Sequence, residues 1–151
     1  MSRKPLDVLG IGNAIVDVIV KTNDNFLSDK KLQKGSMTLI DGDQASVLYS
    51  EVETETVTSG GSAANTIAGI ASMGGHGGFI GKVSDDELGR IFRDDICSLG
   101  IEFVSQLSIK GPATARCFVF VTDDAERTMN TYLGACADLG PEDVDINVVG
   151  A

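Results

Sequence analysis

At 151 residues the chain has room for one domain with a core of its own and not for two comfortable ones. Its formal charge of −10, with Lys and Arg scattered, excludes a nucleic-acid-binding surface, which needs clustered cations; solubility is the plain reason for the acidity. No apolar run is long enough to span a bilayer and the start, MSRKPLDVLGIG, has no secretory hydrophobic region, so the expectation is a cytoplasmic protein without a membrane partner.

In chain order, LDVLGIGNAIVDVIV (6–20) is rich in Val and Ile and reads as a strand, a break at Gly12-Asn13 and a second extended run. DNFLSDKKL predicts a short helix and SMTLID (36–41) a short strand. DGDQASVLYSEV predicts a helix opened by Asp41, with Gln44 three residues on to complete a capping box. TETVTSGG is a strand leading to residues 62–73, SAANTIAGIASM, whose small apolar residues suit a helix lying close to a sheet. GGFIGKV follows as a buried strand. SDDELGRIFRDDICSLG is the clearest helix: Ser84 and Glu87 predict a capping box, Leu88, Ile91, Phe92, Ile96 and Leu99 an apolar stripe, and Gly100 the end. ARCFVFVTDDAERTMNTYLG predicts a β-hairpin turning near Asp123-Asp124-Ala125. PEDVDINVVGA, ending at Ala151, alternates Val144, Ile146 and Val148 like an approaching strand, and the chain reads as the first part of a longer protein. Strands alternating with helices make the expected class α/β, with a small extra β element.

Familiar catalytic and cofactor patterns are absent. Cys97, Cys117 and Cys136 are odd in number and far apart, without CxxC spacing, which predicts reduced, mostly buried thiols rather than a disulfide frame or zinc site. His76 is the only histidine, so neither a metal site nor a catalytic triad is predicted. GIGNAI (10–15) starts like a dinucleotide fingerprint, but Ile15 replaces the third glycine and no acidic residue stands at the required distance. GKVS (81–84) resembles the end of a phosphate loop, yet Val83 replaces the Ser/Thr and His76 the first glycine.

Two segments do carry chemistry. Asn13 and Asp17, just after an apolar strand, can grip vicinal hydroxyls through a paired acceptor and an acceptor–donor edge. A turn asparagine and a solvated aspartate fit the same spacing. In TSGGSAANTIAG (58–69), Gly60 and Gly61 permit close approach or positive φ, Ser62 can cap the helix, and Asn65 in its first turn can point at a ligand held by free N–H groups. A glycine turn with a serine cap and an outward asparagine fits equally well.

Taken together, GNAIVD (12–17), GGSAANTIAGIASMG (60–74) and GKVSDDELG (81–89) resemble the ribokinase (PfkB) family of carbohydrate and nucleoside kinases, in order and over the whole chain. Asp86 and Gly89 stand in the family's usual relation, while Ser84 replaces a glycine common there. KGSMTLID and ERTMNTYLGA are most similar to the adenosine-kinase-like branch. The resemblance implies a three-layer α/β/α sandwich with a small β lid, of which residues 1–151 would be the amino-terminal, acceptor-binding portion, with lid strands within 13–41 and 113–134. It implies that Asn13, Asp17, Gly60, Gly61, Ser62 and Asn65 bind the acceptor's hydroxyls, and that Met37, Leu39, Cys117, Met129, Thr131 and Leu133 line the lid side. Arg127 is similar to a lid arginine that meets the transferred phosphate, and its plain reading is a surface hairpin residue. The implied reaction moves the γ-phosphate of ATP, with Mg2+, to a primary hydroxyl of a sugar or adenosine. The family's GAGD-type segment, with its base and anion hole, is absent. The base is therefore expected beyond Ala151, no catalytic base and no metal ligand is assigned in this chain, and the piece alone is expected to be inactive. A sugar- or nucleoside-binding module, a subunit completed by another chain, and a purely structural domain are the alternatives. An exposed lid edge would pair two copies into a homodimer.

Overall fold

The break at Gly12-Asn13 divides the first apolar run between two different sheets. In the computed structural model, which describes residues 5–149, β1 (Val8–Ile11) pairs in parallel with β5 (Gly77–Ile80), and β5 with β6 (Glu102–Phe103). The second run, β2 (Ile15–Lys21), belongs to a five-stranded sheet with β3 (Met37–Leu39), β4 (Thr56–Gly60), β7 (Ala115–Val121) and β8 (Arg127–Tyr132), in the order β3-β8-β7-β2-β4. β2–β7 and β3–β8 are parallel; β2–β4 and the β7–β8 hairpin are antiparallel.

Alternation along β2 explains its place. Val16, Val18 and Val20 are buried on one face, while Ile15, Asp17 and Ile19 are partly exposed on the other. Behind the buried face, Val18, Val20, Phe118 and Phe120 pack on Leu27 of α1 (Asp24–Asp29) and on Ala45 and Leu48 of α2 (Gly42–Glu51). A second cluster joins Val16 and Phe79 to Ala64 and Ile67 of α3 (Ser62–Ser72) and to Leu88, Phe92 and Ile96 of α4 (Glu87–Ser98). The helices thus cover one face of each sheet, and the architecture is α/β.

The α2 capping box forms as read: Asp41 accepts from the Gln44 N–H and Gln44 from the Asp41 N–H. Four expectations are corrected. Helix α4 is capped by Asp86, not Ser84, because the Asp86 carboxylate accepts the Gly89 N–H while Ser84 is drawn into a bridge with Ser108. Its stripe ends at Ile96; Leu99, as the C-cap, turns outward and is exposed. Ser62 does not cap α3: Gly61 takes the cap position and no side chain bonds the helix start. The alternating tail finds no partner strand among the described residues; after a 3-10 turn over Gly134–Asp138, the tail itself forms a 3-10 turn over Pro141–Asp143 and then the short α5 (Ile146–Val149), its first turn held by the Asp145 carbonyl. Gly150 and Ala151, the end of that run and the point beyond which the base is expected, lie outside the described residues.

Candidate functional site

The register of the five-stranded sheet decides which side chains share its open face, the one opposite α1 and α2. Asp17 on β2 pairs with Thr58 on β4 and with Cys117 on β7; Cys117 pairs with Thr131 on β8, and Thr131 with Leu39 on β3. Directly paired residues point to the same face, so Thr58, Asp17, Cys117, Thr131 and Leu39 form one row across five strands. At about 4.8 Å per strand, Asp17 and Leu39 stand roughly 14 Å apart. Met37, Met129, Val119, Ile19 and Thr56 form the neighbouring row.

The two ends of the row differ in chemistry. At the β2 end Asp17 is half-buried and accepts no hydrogen bond from the described residues; burial pushes its carboxyl above the ordinary 3.8. A Cβ built on Gly60 would collide with that carboxylate, so the missing side chain is what gives Asp17 its space. Next to it, Gly61 holds φ +96°, and a Cβ there would strike the Asn13 carbonyl. These contacts bring the 12–14 and 60–63 segments together, with Asn13, Ser62 and Asn65 all exposed at the same corner. The Asn65 N–H closes the first turn of α3 on the Gly61 carbonyl, while the N–H groups ahead of it have no side-chain cap.

At the β3 end the face is apolar: Met37 and Leu39 are 57% and 59% exposed, with Met129 partly buried beside them. Between the ends, Cys117 is buried and accepts the Thr131 hydroxyl at 3.2 Å. Burial pushes its thiol up, the Thr131 hydrogen bond opposes this, and the Asp17 charge adds to the rise. The two rows therefore grade from a carboxylate with free acceptor sites to exposed thioether and aliphatic groups, with no cation in either row.

Of the residues singled out in the sequence, Asp17, Cys117, Thr131, Leu39, Met37 and Met129 share this face, and Asn13, Gly60, Gly61, Ser62 and Asn65 border its polar end. Leu133 lies just past β8, partly buried at the start of a 3-10 turn and outside the paired rows. Arg127, exposed at the first position of β8, is on the Thr131 side by alternation but four residues away, roughly 13 Å. Thr58 was missed by sequence reasoning, although the alternation in TVTSG already places Thr56, Thr58 and Gly60 on one side.

Comparison with known proteins bears on the family and the fold. Residues 32–150 match the profile of the family described as pfkB family carbohydrate kinase. The adenosine kinase of Sinorhizobium meliloti superimposes with a TM-score of 0.87 at 52% identity, covering 97% of this chain and 45% of that one. A probable sugar kinase of Rhizobium etli CFN 42 gives 0.87 at 49% identity, covering 97% and 44%. An ATP-dependent ribose-1-phosphate kinase of Halopiger xanaduensis is 32% identical over 94 residues, 62% of this chain and 32% of that protein. The chain thus spans about a third of that curated relative and under half of the two solved structures.

Proposed function

The chain belongs to the pfkB family of carbohydrate kinases, and from that membership we propose that it is the acceptor-binding portion of a kinase transferring the γ-phosphate of ATP to a primary hydroxyl of a sugar or nucleoside. The observation that carries the reading is the row itself: Asp17 against Gly60, without a partner among the described residues, at one end, and exposed Leu39 and Met37 at the other. In it, Asp17 and Asn13 take the acceptor's vicinal hydroxyls, and Gly60 and Gly61 let its ring approach the backbone. Met37, Leu39 and Met129 take the base or the sugar's apolar face. Phosphoryl transfer asks the protein for alignment, charge neutralisation and exclusion of water rather than covalent chemistry. The residues here supply the first and, through the hairpin strands acting as a lid, the third.

ATP with its Mg2+ supplies the transferred group. Among the described residues no group of three or more His, Cys, Asp or Glu is placed to hold a metal. Lys82, beside the signature glycine, is engaged by Asp143 at 2.9 Å and by the Asp138 carbonyl. No residue here is assigned to a metal–triphosphate site, and in this reading the base and anion hole belong to the part of the family fold outside the described residues. Titration calorimetry with adenosine, ribose and fructose tests the reading. At least one binds the wild type, and Asp17→Ala weakens it by about tenfold or more, the loss of one charged hydrogen bond. Equal binding by Asp17→Ala, or no binding to wild type by any of the three, refutes it.

A further inference from the structure

Helix α4 meets the row only at its Thr58 end, and two carboxylates of its cap and body hold the strands on either side of Asp17. The Asp86 carboxylate, besides the Gly89 N–H at 2.8 Å, accepts the Thr114 N–H at 2.9 Å and the Thr114 hydroxyl at 2.7 Å. Thr114 is fully buried, immediately precedes β7, and its hydroxyl oxygen accepts the Ser84 N–H at 2.9 Å. Nine residues on, the Asp95 carboxylate accepts the Ser59 N–H at 2.7 Å and the Thr58 hydroxyl at 3.0 Å. These are the last residues of β4 before Gly60.

In the sheet order β7 and β4 are the two neighbours of β2. Nine residues of helix span roughly 14 Å, enough to reach across the roughly 10 Å between strands two apart. In between, Phe92 and Ile96 of α4 pack in one cluster with Val16 of β2. The helix is also fixed in depth: a Cβ on Gly89 would strike the Ser84 carbonyl and the Thr114 hydroxyl, so only glycine lets the first turn sit this close. Opening this pattern moves Cys117 away from Asp17 on one side and Gly60 away from it on the other.

We propose that Asp86 and Asp95 are positioning residues for the acceptor, acting through Thr114 and Thr58–Ser59 to set the strands that flank Asp17. The proposal rests on the acceptor-face reading above. It is tested by steady-state kinetics of the full-length kinase carrying this chain, with adenosine, ribose and fructose as acceptors. Thr114→Val and Asp95→Ala each raise the acceptor KM about tenfold, one hydrogen-bonded contact's worth. The ATP KM stays within about twofold, because the flanking strands belong to the acceptor side alone. Thr114→Ser and Asp95→Asn, which keep an acceptor or donor in place, recover most of the loss and serve where a harsher variant does not fold. If acceptor and ATP constants move together, or neither moves while the melting temperature falls, α4 is merely structural and the proposal is overturned. Wild type that phosphorylates none of the three overturns the acceptor reading itself, and the proposal with it.

Discussion

Adding one methyl group at Gly60 or at the adjacent Gly61 separates what this corner does for folding from what it does for binding. At Gly61, φ is +96° and ψ 138°, a combination that an L side chain adopts only at a penalty of about 1–3 kcal/mol. The new Cβ also meets a backbone atom, the Asn13 carbonyl, which cannot rotate away. Gly61→Ala therefore destabilises by roughly 3 kcal/mol, which for a chain of this size lowers Tm by roughly 6–12 °C. At Gly60 the backbone is unstrained, and what a Cβ meets is the end of the Asp17 side chain, which turns about its own torsions at about 1 kcal/mol. Gly60→Ala therefore moves Tm by no more than about 3 °C. It displaces the carboxylate by an ångström or so, however, a shift that costs up to about a hundredfold in a positioned site. Thermal melts and calorimetry with adenosine, ribose and fructose on both variants read the two effects apart. Gly60→Ala that melts like Gly61→Ala, or that binds like wild type, refutes the argument that Gly60 exists to make room for Asp17.

Two more outcomes follow from the same corner. Because burial raises the Asp17 carboxyl above 3.8, the folded chain binds its proton more tightly than the unfolded chain does; the resulting penalty is absent below the unfolded value and complete once pH has risen through the folded one. Asp17→Asn therefore raises Tm at about pH 7 and leaves it unchanged at about pH 3, read by melts at both, and a lowered Tm at neutral pH refutes this. Residues 1–151 alone, given ATP, Mg2+ and adenosine or ribose, transfer no phosphate above background, and measurable transfer refutes the assignment of the base to residues outside this chain.

What was legible in the sequence was what neighbours decide. The alternation in IVDVIVK fixes which residues of β2 face the core, and Asp41 with Gln44 three residues on completes a capping box whatever lies elsewhere. The hairpin follows from two β-rich runs around Asp123-Asp124-Ala125, with Ala125 taking φ +63° in the turn. What failed was decided at a distance. In SDDE both Ser84 and Asp86 satisfy the local rule for a helix cap, and the choice falls to Thr114, 28 residues on, whose buried hydroxyl and N–H require the stronger acceptor. The tail from Val144 has strand-like alternation, but alternation is a surface pattern and needs a paired edge to become a strand; Asp145 instead accepts the Val148 and Val149 N–H groups on its carbonyl. The row from Thr58 to Leu39 was legible only as separate residues, because strand order and the parallel pairing of β2 with β7 are not written in any one segment.

The position of Asp17 also explains why the corner breaks local rules as a group. A carboxylate on an apolar strand, half-buried and without a hydrogen-bond donor among the described residues, opposes folding, and a sequence selected for stability alone would place valine or asparagine there. Here that penalty is kept, and three further departures are arranged around it: Gly60 where a strand prefers a side chain, Gly61 at a positive φ, and a helix start left uncapped. Each taken alone has a bland explanation; together they fit the hydroxylated ligand proposed above, which asks for acceptor oxygens and N–H donors side by side. The stabilising hydrogen bonds lie beside the corner, where the Asp86 carboxylate is met by donors of Thr114, the residue before β7, and the Asp95 carboxylate by donors of β4. Burial and hydrogen bonding act in opposite directions on Asp95 and the hydrogen bonds prevail, holding it below the ordinary carboxylate value, whereas Asp17 has burial alone. Two carboxylates beside the same strand, β4, thus end on opposite sides of their reference value, and the unsatisfied one is the one on the open face.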